Sequence, residues 1–299
     1  LEELKAEYLE DPEIYLWIGY LYRRMGEFRK SLEYNNYAIS LDPSDWDKWG
    51  NAANTYMVLR NYIDAEKSKK KVVDLNPSNS ASYGDLTDLY INSGQLKKAK
   101  DFILNNKASF DPSDLDQIRA RLELLDRNYE EAIKIIKNIP RIEFSEQSSY
   151  DTKHLQLGLM YRANSNDDLA KENFSIARDT ILKKIDKSKN DDRLYIALGI
   201  ACAGMGLKED ALDAGNKALE ILDFTKDAQG GTFPETGMVR ILVMVGDYDQ
   251  ALERLERIIK HTGFTINVEI LKLDPFWDPV RNNAKFQEII KNPDYQIEL

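Results

Sequence analysis

Little in this 299-residue chain is of the kind that does chemistry: it has one cysteine and two histidines. Cys202 has no partner for a disulfide, so no cross-linked framework exists, and a reducing, cytoplasmic setting is expected. His154 and His261 lie far apart with no Cys or carboxylate at ligand spacing, which argues against a zinc site. No apolar run approaches the roughly 20 residues that cross a bilayer, and no basic stretch leads into an apolar signal segment. Positive charge is also short. The net charge is -10 with a pI near 5.0, so no basic face is available for a phosphate backbone and nucleic acid is not expected as a direct partner. The one basic run, "KSKKKVV" at residues 67–73, reads as the solvated face of a helix.

Catalytic and cofactor motifs are missing too. "GMGLKED" and "AQGGTFPE" follow no strand and carry no Gly-Lys-Ser/Thr, so neither cradles phosphate. "SNDD" and "NDD" lack the alternating ligands, the Gly and the distant Glu of a calcium loop. Carboxylates abound, but nothing singles out a pair for acid–base work. The expectation is a protein that is not an enzyme, with no cofactor and no metal. The chain opens at Leu1, not Met, inside helical-looking text, and reads as a piece of a longer protein.

What is present is a period. Pro43 and Pro77 stand 34 residues apart, and Pro112 follows after 35. Ahead of these prolines the same residue types recur: Gly19, Tyr22, Gly26 and Ala38, then Ala53, Tyr56, Tyr62 and Ala65, then Tyr90, Gly94, Leu96 and Ala99. Later segments keep the order with Gly158, Tyr161, Ala170, Phe174 and Ala177, with Gly199, Gly206, Ala211 and Ala218, and with Gly246, Tyr248, Ala251 and Leu255. A fixed period of this length marks a stacked-repeat protein, in which each unit buries its apolar face only against its neighbours.

Several positions recurring together resemble the tetratricopeptide repeat family, over roughly residues 12 to 262. The resemblance implies an all-α fold: an α-solenoid of about seven tetratricopeptide-type helix pairs, a right-handed superhelix with a C-terminal capping segment. The expected division is an array over 1–264, with repeats near 12–45, 46–79, 80–112, 113–140, 151–188, 192–224 and 232–262, and a cap over 265–299. Small residues in the first helix and early in the second let backbones approach, and the Pro stops the second helix. The early-helix Ala steps by 34, 33, 38, 41 and 40 from Ala65 to Ala251, so the second half has longer helices or connections, around "IPRIEFSEQSS" and "FTKDAQGGTFPE". The fourth copy fits only with a one-residue slip. Leu169, Phe174, Ala177, Ile181 and Ile185 should form one stripe on the fifth copy's second helix. Cys202 takes a Tyr position and should be a buried small hydrophobe. His154 stands where the family often has a Trp, and a packed or half-exposed histidine is expected.

In such stacks the first helices line the concave face. Residues projecting away from their packing stripes are Trp17, Tyr20 and Arg24, then Asn51 and Asn54, Asp85 and Asp88, Gln156 and Arg162, and Arg240. These are the groove candidates; Asn in particular can pair both sides of an extended peptide backbone. Trp17 and Tyr20 could equally cover the end of the stack. Co-chaperone members clamp a terminal carboxylate with a Lys and Asn set. The corresponding positions here are Leu16, Tyr20 and Asn51, of which one matches.

After Ile259 the period stops. In "LKLDPFWDPVRNNAKFQEII", Asp278 reads as an N-cap before Pro279 and Asn283 as the cap of a last helix. Phe276, Trp277, Phe286, Ile289 and Ile290 would then seal the last helix pair. Leu273, Asp274, Pro275, Trp277, Asp278, Pro279, Arg281 and Phe286 resemble the ending of bacterial signalling proteins with C-terminal repeat arrays; Val280 and Ala284 depart from that pattern. Two functions follow. One is a non-catalytic scaffold binding a peptide or protein in its groove. The other is the regulatory C-terminal domain of a larger bacterial signalling enzyme (an adenylate or guanylate cyclase or a protein kinase) or of a transcriptional regulator, acting as a homodimer or on an intramolecular effector domain.

Overall fold

Helices follow one another in antiparallel pairs, and each pair is closed by the same turn. The computed structural model describes residues 10–106, 115–261 and 265–296. Among them the pairs are α1 (Pro12–Arg24) with α2 (Phe28–Leu41), α3 (Trp46–Val58) with α4 (Tyr62–Leu75), and α5 (Ser80–Asn92) with α6 (Leu96–Asn105). Then come α7 (Asp116–Leu125) with α8 (Tyr129–Asn138), α9 (Lys153–Ala163) with α10 (Asp167–Ile185), α11 (Asp192–Met205) with α12 (Lys208–Ile221), and α13 (Thr232–Met244) with α14 (Tyr248–His261). Each second helix also packs on the first helix of the next pair. First helices touch one another at α1–α3, α5–α7, α9–α11 and α11–α13, and so form the inner, concave wall of an α-solenoid. Pro112 and the expected 112/113 boundary lie outside the described residues.

The turns explain the period. Each has a single residue in the left-handed region, with φ between 55° and 83°: Gly26, Arg60, Gly94, Arg127, Ser165, Gly206 and Gly246. The next backbone N–H returns to a carbonyl one turn inside the helix, as Glu27 does to Tyr22 (2.9 Å), Gln95 to Tyr90 (2.8 Å) and Asn128 to Glu123 (2.8 Å). Five residues past each turn residue sits a small one: Ser31, Ala65, Ala99, Ala132, Ala170, Ala211 or Ala251, none more than 3% exposed. The slip in the fourth copy is a step of 33 from Gly94 to Arg127, and its turn keeps the same geometry.

Several helix starts are capped by side chains, as Asp45 accepts from Asp47 N (2.9 Å) and Asn79 from Ala81 N (3.0 Å). In α10 the buried stripe is Ala170, Asn173, Phe174, Ala177 and Ile181, whereas Leu169 is exposed, one position off the face. Phe174 is fully buried between Gly158 and Gly204, where a Cβ would come within 2.7 and 2.3 Å of its ring.

Two connections depart from the repeat. Residues Glu143–Ser145 (β1) and Tyr150–Thr152 (β2) form an antiparallel hairpin with Phe144 opposite Asp151, packed on α9 and α11. The loop between α12 and α13 reaches back to α1, where Ala228 N donates to Arg24 O at 2.8 Å.

The C-terminal segment comprises α15 (Val268–Leu273), a 3-10 turn (Pro275–Val280), α16 (Ala284–Lys291) and a last 3-10 turn (Pro293–Tyr295). Trp277 and Phe286 are buried, at 3% and 0% exposure. They do more than seal the last pair. They share one apolar cluster with Tyr62, Leu89, Leu122 and Leu125 as well as Leu242 and Ile259, so the segment packs across the second to fourth pairs too. The expected N-cap also moves: Asp274 caps the 3-10 turn with Pro275 first inside it, accepting from Phe276 N at 2.9 Å. Asp278 instead binds Arg127 and Arg281. Asn283 caps α16 through Lys285 N at 2.9 Å.

Candidate functional site

On the concave wall, α5, α7, α9 and α13 and the hairpin bring ionisable side chains together. Asp88 on α5 accepts from Arg121 Nη1 at 2.6 Å, and Arg121 Nη2 reaches Asn92 Oδ1 at 3.2 Å. One turn earlier Asp85 accepts from Lys69 Nζ at 2.7 Å. Lys69 is itself buried, so the basic run at 67–73 is only in part a solvated face. The hairpin adds Glu146, whose backbone carbonyl accepts from Arg193, and Asp151, whose Oδ1 accepts from Thr152 N at 2.7 Å.

The electrostatics are those of carboxylates gathered in a shallow, partly exposed hollow, with Asp85 59% and Asp88 40% exposed. Desolvation raises Asp88 above the usual carboxylate range despite Arg121, and Asp85 adds repulsion. Glu146 is raised by desolvation and then by Asp88 and Asp85. Asp151 is pushed up to about 6 by desolvation, against a hydrogen bond from Gln156, the Thr152 N–H and the field of Arg240. Arg240 lies 4.4 Å from the ring centroid of Phe276 in the C-terminal segment. Of the ten groove candidates, Asp85 and Asp88 lie within electrostatic reach of Glu146, and Gln156 and Arg240 within reach of Asp151. Among the described residues no group of three or more His, Cys, Asp or Glu could hold a metal ion.

A second set meets at the N-terminal end. Trp17 is 61% exposed and edge-on to Tyr20, with centroids 6.0 Å apart. The Tyr20 hydroxyl accepts from Arg24, which also pairs with Asp227. Asn51 is already engaged: its Oδ1 accepts from Arg23 Nη2 at 3.0 Å, and its amide donates to Asp47 O at 3.1 Å. Arg23 is buried, its pKa pulled down to about 10 mainly by desolvation, and it further donates to Thr55 and Gln229. Asn54 is half-buried on α3. Arg162 is half-buried on α9, and burial lowers its pKa. Cys202 is 2% exposed, and burial pushes its thiol up. His154 is half-buried, with Nδ1 2.9 Å from Asn173 Oδ1.

Three residues of the hollow were hidden in the sequence. Arg121 stands six residues before the left-handed Arg127, as Asp88 does before Gly94 and Arg240 before Gly246; the one-residue slip concealed it. Glu146 and Asp151 lie in a connection, where only the alternation of "EFS" and "YDT" hinted at strands.

Residues 12–45 match the family model of the tetratricopeptide repeat. No curated protein matches the chain. Among solved structures it is similar to an APC/C hetero-tetramer, Cut9-Hcn1, at 14% identity and a TM-score of 0.53, covering 86% of this chain and 44% of that one. The chain thus spans less than half the length of that relative, and the likeness is one of fold. It is also similar to MamA protein (23% identity, TM-score 0.30, 71% of this chain and 92% of that). A further match is YrrB, a TPR protein with an unusual peptide-binding site (18% identity, TM-score 0.33, 74% and 91%). Residues 12–45 are a tetratricopeptide repeat by sequence, and the described chain has the helix-pair solenoid fold of such repeats.

Proposed function

We propose that the chain is a non-catalytic interaction scaffold whose concave wall binds an extended segment of a protein partner carrying basic side chains. The observation that carries this reading is the gathering of Asp85, Asp88 and Glu146 from α5 and the hairpin, with the two cations Lys69 and Arg121 set against three carboxylates, and with Asp151 further along the hairpin beside Gln156 and Arg240. A Lys or Arg side chain entering there relieves the repulsion that already raises Asp88 and Glu146. The Trp17, Tyr20 and Arg24 set would take a second part of the partner.

The test is fluorescence titration with labelled peptides of equal length, one Lys-rich, one Glu-rich and one neutral. The Lys-rich peptide is expected to bind best. Asp85→Asn/Asp88→Asn/Glu146→Gln should weaken it by about tenfold or more. A control changing the same number of exposed outer carboxylates, Glu130→Gln/Glu131→Gln/Asp168→Asn, should leave it within about twofold. Equal losses in the two variants would show binding to net charge alone and sink the proposal.

The rival reading, a regulatory domain of a cyclase, kinase or transcriptional regulator, drew on the pattern from Leu273 to Phe286. In the structure Asp274 caps, Trp277 and Phe286 pack, and Asp278 and Arg281 bind neighbours. Packing within this chain accounts for those residues, and no contact of theirs favours that reading over the first.

A further inference from the structure

An open stack of helix pairs has two free ends, and each pair touches only its neighbours. In this chain successive pieces of the last third meet the four turns of the first half in order. At the first turn Asp227 pairs with Arg24, Ala228 N donates to Arg24 O, and Gln229 Oε1 accepts from Arg23 Nε at 2.8 Å. At the second, Arg60 donates to the carbonyl of Ile259, and just beyond it Asn267 Nδ2 donates to the buried Tyr62 hydroxyl at 2.8 Å. The third is Gly94, where a Cβ would lie 3.0 Å from the Glu269 carboxylate. At the fourth, Arg127 forks onto both oxygens of Asp278 at 2.6 and 2.9 Å, between residues 151 apart in sequence.

We infer that the loop at residues 227–229 and the segment 265–296 form one seam, with 265–296 as its strap, that closes the superhelix into a ring and sets the width of its concave face. The inference rests on these contacts and not on the partner reading. The middle of the seam is apolar: Tyr62, Val268, Leu271 and Trp277 lie in one buried cluster. Its two ends are ion pairs of different kinds: Arg24 reaches a buried carboxylate, Asp227 at 2% exposure, whereas Arg127 and Asp278 are both exposed, at 47% and 41%. The second pair is weak and screened by salt, so the Arg127–Asp278 end of the seam is where it loosens. Loosening there lets the first four pairs swing from the last one and widens the hollow that holds Asp85 and Asp88. An open stack would instead fray at α14 and leave the first half alone.

Hydrogen exchange by mass spectrometry on the full chain separates the two. Asp278→Arg, at an exposed site, should speed exchange about two- to fivefold not only in 265–296 but also in 80–92 and 116–138, far away in sequence. Arg127→Asp/Asp278→Arg should recover part of the protection in both stretches, the remainder being lost with the Arg281–Asp278 pair. Trp277→Ala, which removes the apolar anchor, should accelerate both stretches further. Acceleration confined to 248–296, or a double variant that restores nothing, overturns the strap; so does unchanged exchange in 80–138 with Trp277→Ala.

Discussion

Trp277→Ala tests both the packing of the tail and its reach. The side chain is 3% exposed, edge-on to Phe276 (centroids 5.1 Å, 81°) and roughly parallel to Phe286 (6.3 Å, 29°). Burying an indole removes on the order of 200 Å² from water. At about 25 cal/mol per Å² this is about 5 kcal/mol. The alanine that remains and the partial compactness of unfolded chains lower it, and about 3–5 kcal/mol is the expected loss. The assay is urea unfolding read by fluorescence and by far-ultraviolet circular dichroism. The other three tryptophans, Trp17, Trp46 and Trp49, all lie in α1 and α3, so fluorescence of the variant reports the first two helix pairs alone. Closure into a ring requires that this signal also shift, by roughly 1 M urea or more. A fluorescence midpoint equal to the wild type's would refute the coupling. A total loss below about 1 kcal/mol would refute the burial argument.

Phe174→Ala empties the slot between Gly158 and Gly204 and should cost about 3–5 kcal/mol in chemical denaturation. Ser165 is exposed with φ 55°, so Ser165→Gly relieves left-handed strain and should raise stability by about 0.5–1 kcal/mol after the greater freedom of the unfolded glycine is subtracted. Asp151 has a folded pKa of about 6 against 3.8 unfolded, so its ionised form costs stability above pH 6 and the cost fades as pH falls toward 4. Asp151→Asn should therefore raise the melting temperature at pH 7.5 with a gain that vanishes near pH 4. A gain equal at both pH values would mean that desolvation of the carboxylate is not its source.

The fold was legible because the turn chemistry repeats. Gly26, Gly94, Gly206 and Gly246 announce left-handed turns, and Ala65, Ala99, Ala132, Ala170, Ala211 and Ala251 mark the close approach five residues later. Arg60, Arg127 and Ser165 take the same conformation without the residue that signals it, and this is why the fourth copy resisted registration. The site was legible only where it rides on that register. Projecting first helices gives Asp85 and Asp88, which lie near Glu146, and Gln156 and Arg240, which lie near Asp151. Asn51 was found in the same way, yet a tertiary neighbour, Arg23, already occupies its amide oxygen. A helical projection shows which way a side chain faces and not what faces it. Asp278 was assigned a cap by local rules that suit Asp274 as well, and the choice between them was made by Arg127, 151 residues away.

Irregular spacing in the second half points to where this chain departs from a plain stack. The step of 38 to Ala170 makes room for the hairpin, which places Glu146 and Asp151 in the hollow. The step of 40 to Ala251 spans the loop whose Asp227, Ala228 and Gln229 meet the first turn. Regular helix pairs supply a rigid wall, and residues added between them are free to project from it, because a connection is not bound by packing periodicity. In sequence the two insertions flank α9 to α12. One feeds charge into the concave face, while the other ties the last pair to the first. A ring of this kind fixes the distance between α5 and α13, the two helices that carry Asp88 and Arg240. The proposed strap would then hold the two at a set separation, which an open stack would leave to the bending of each successive helix pair.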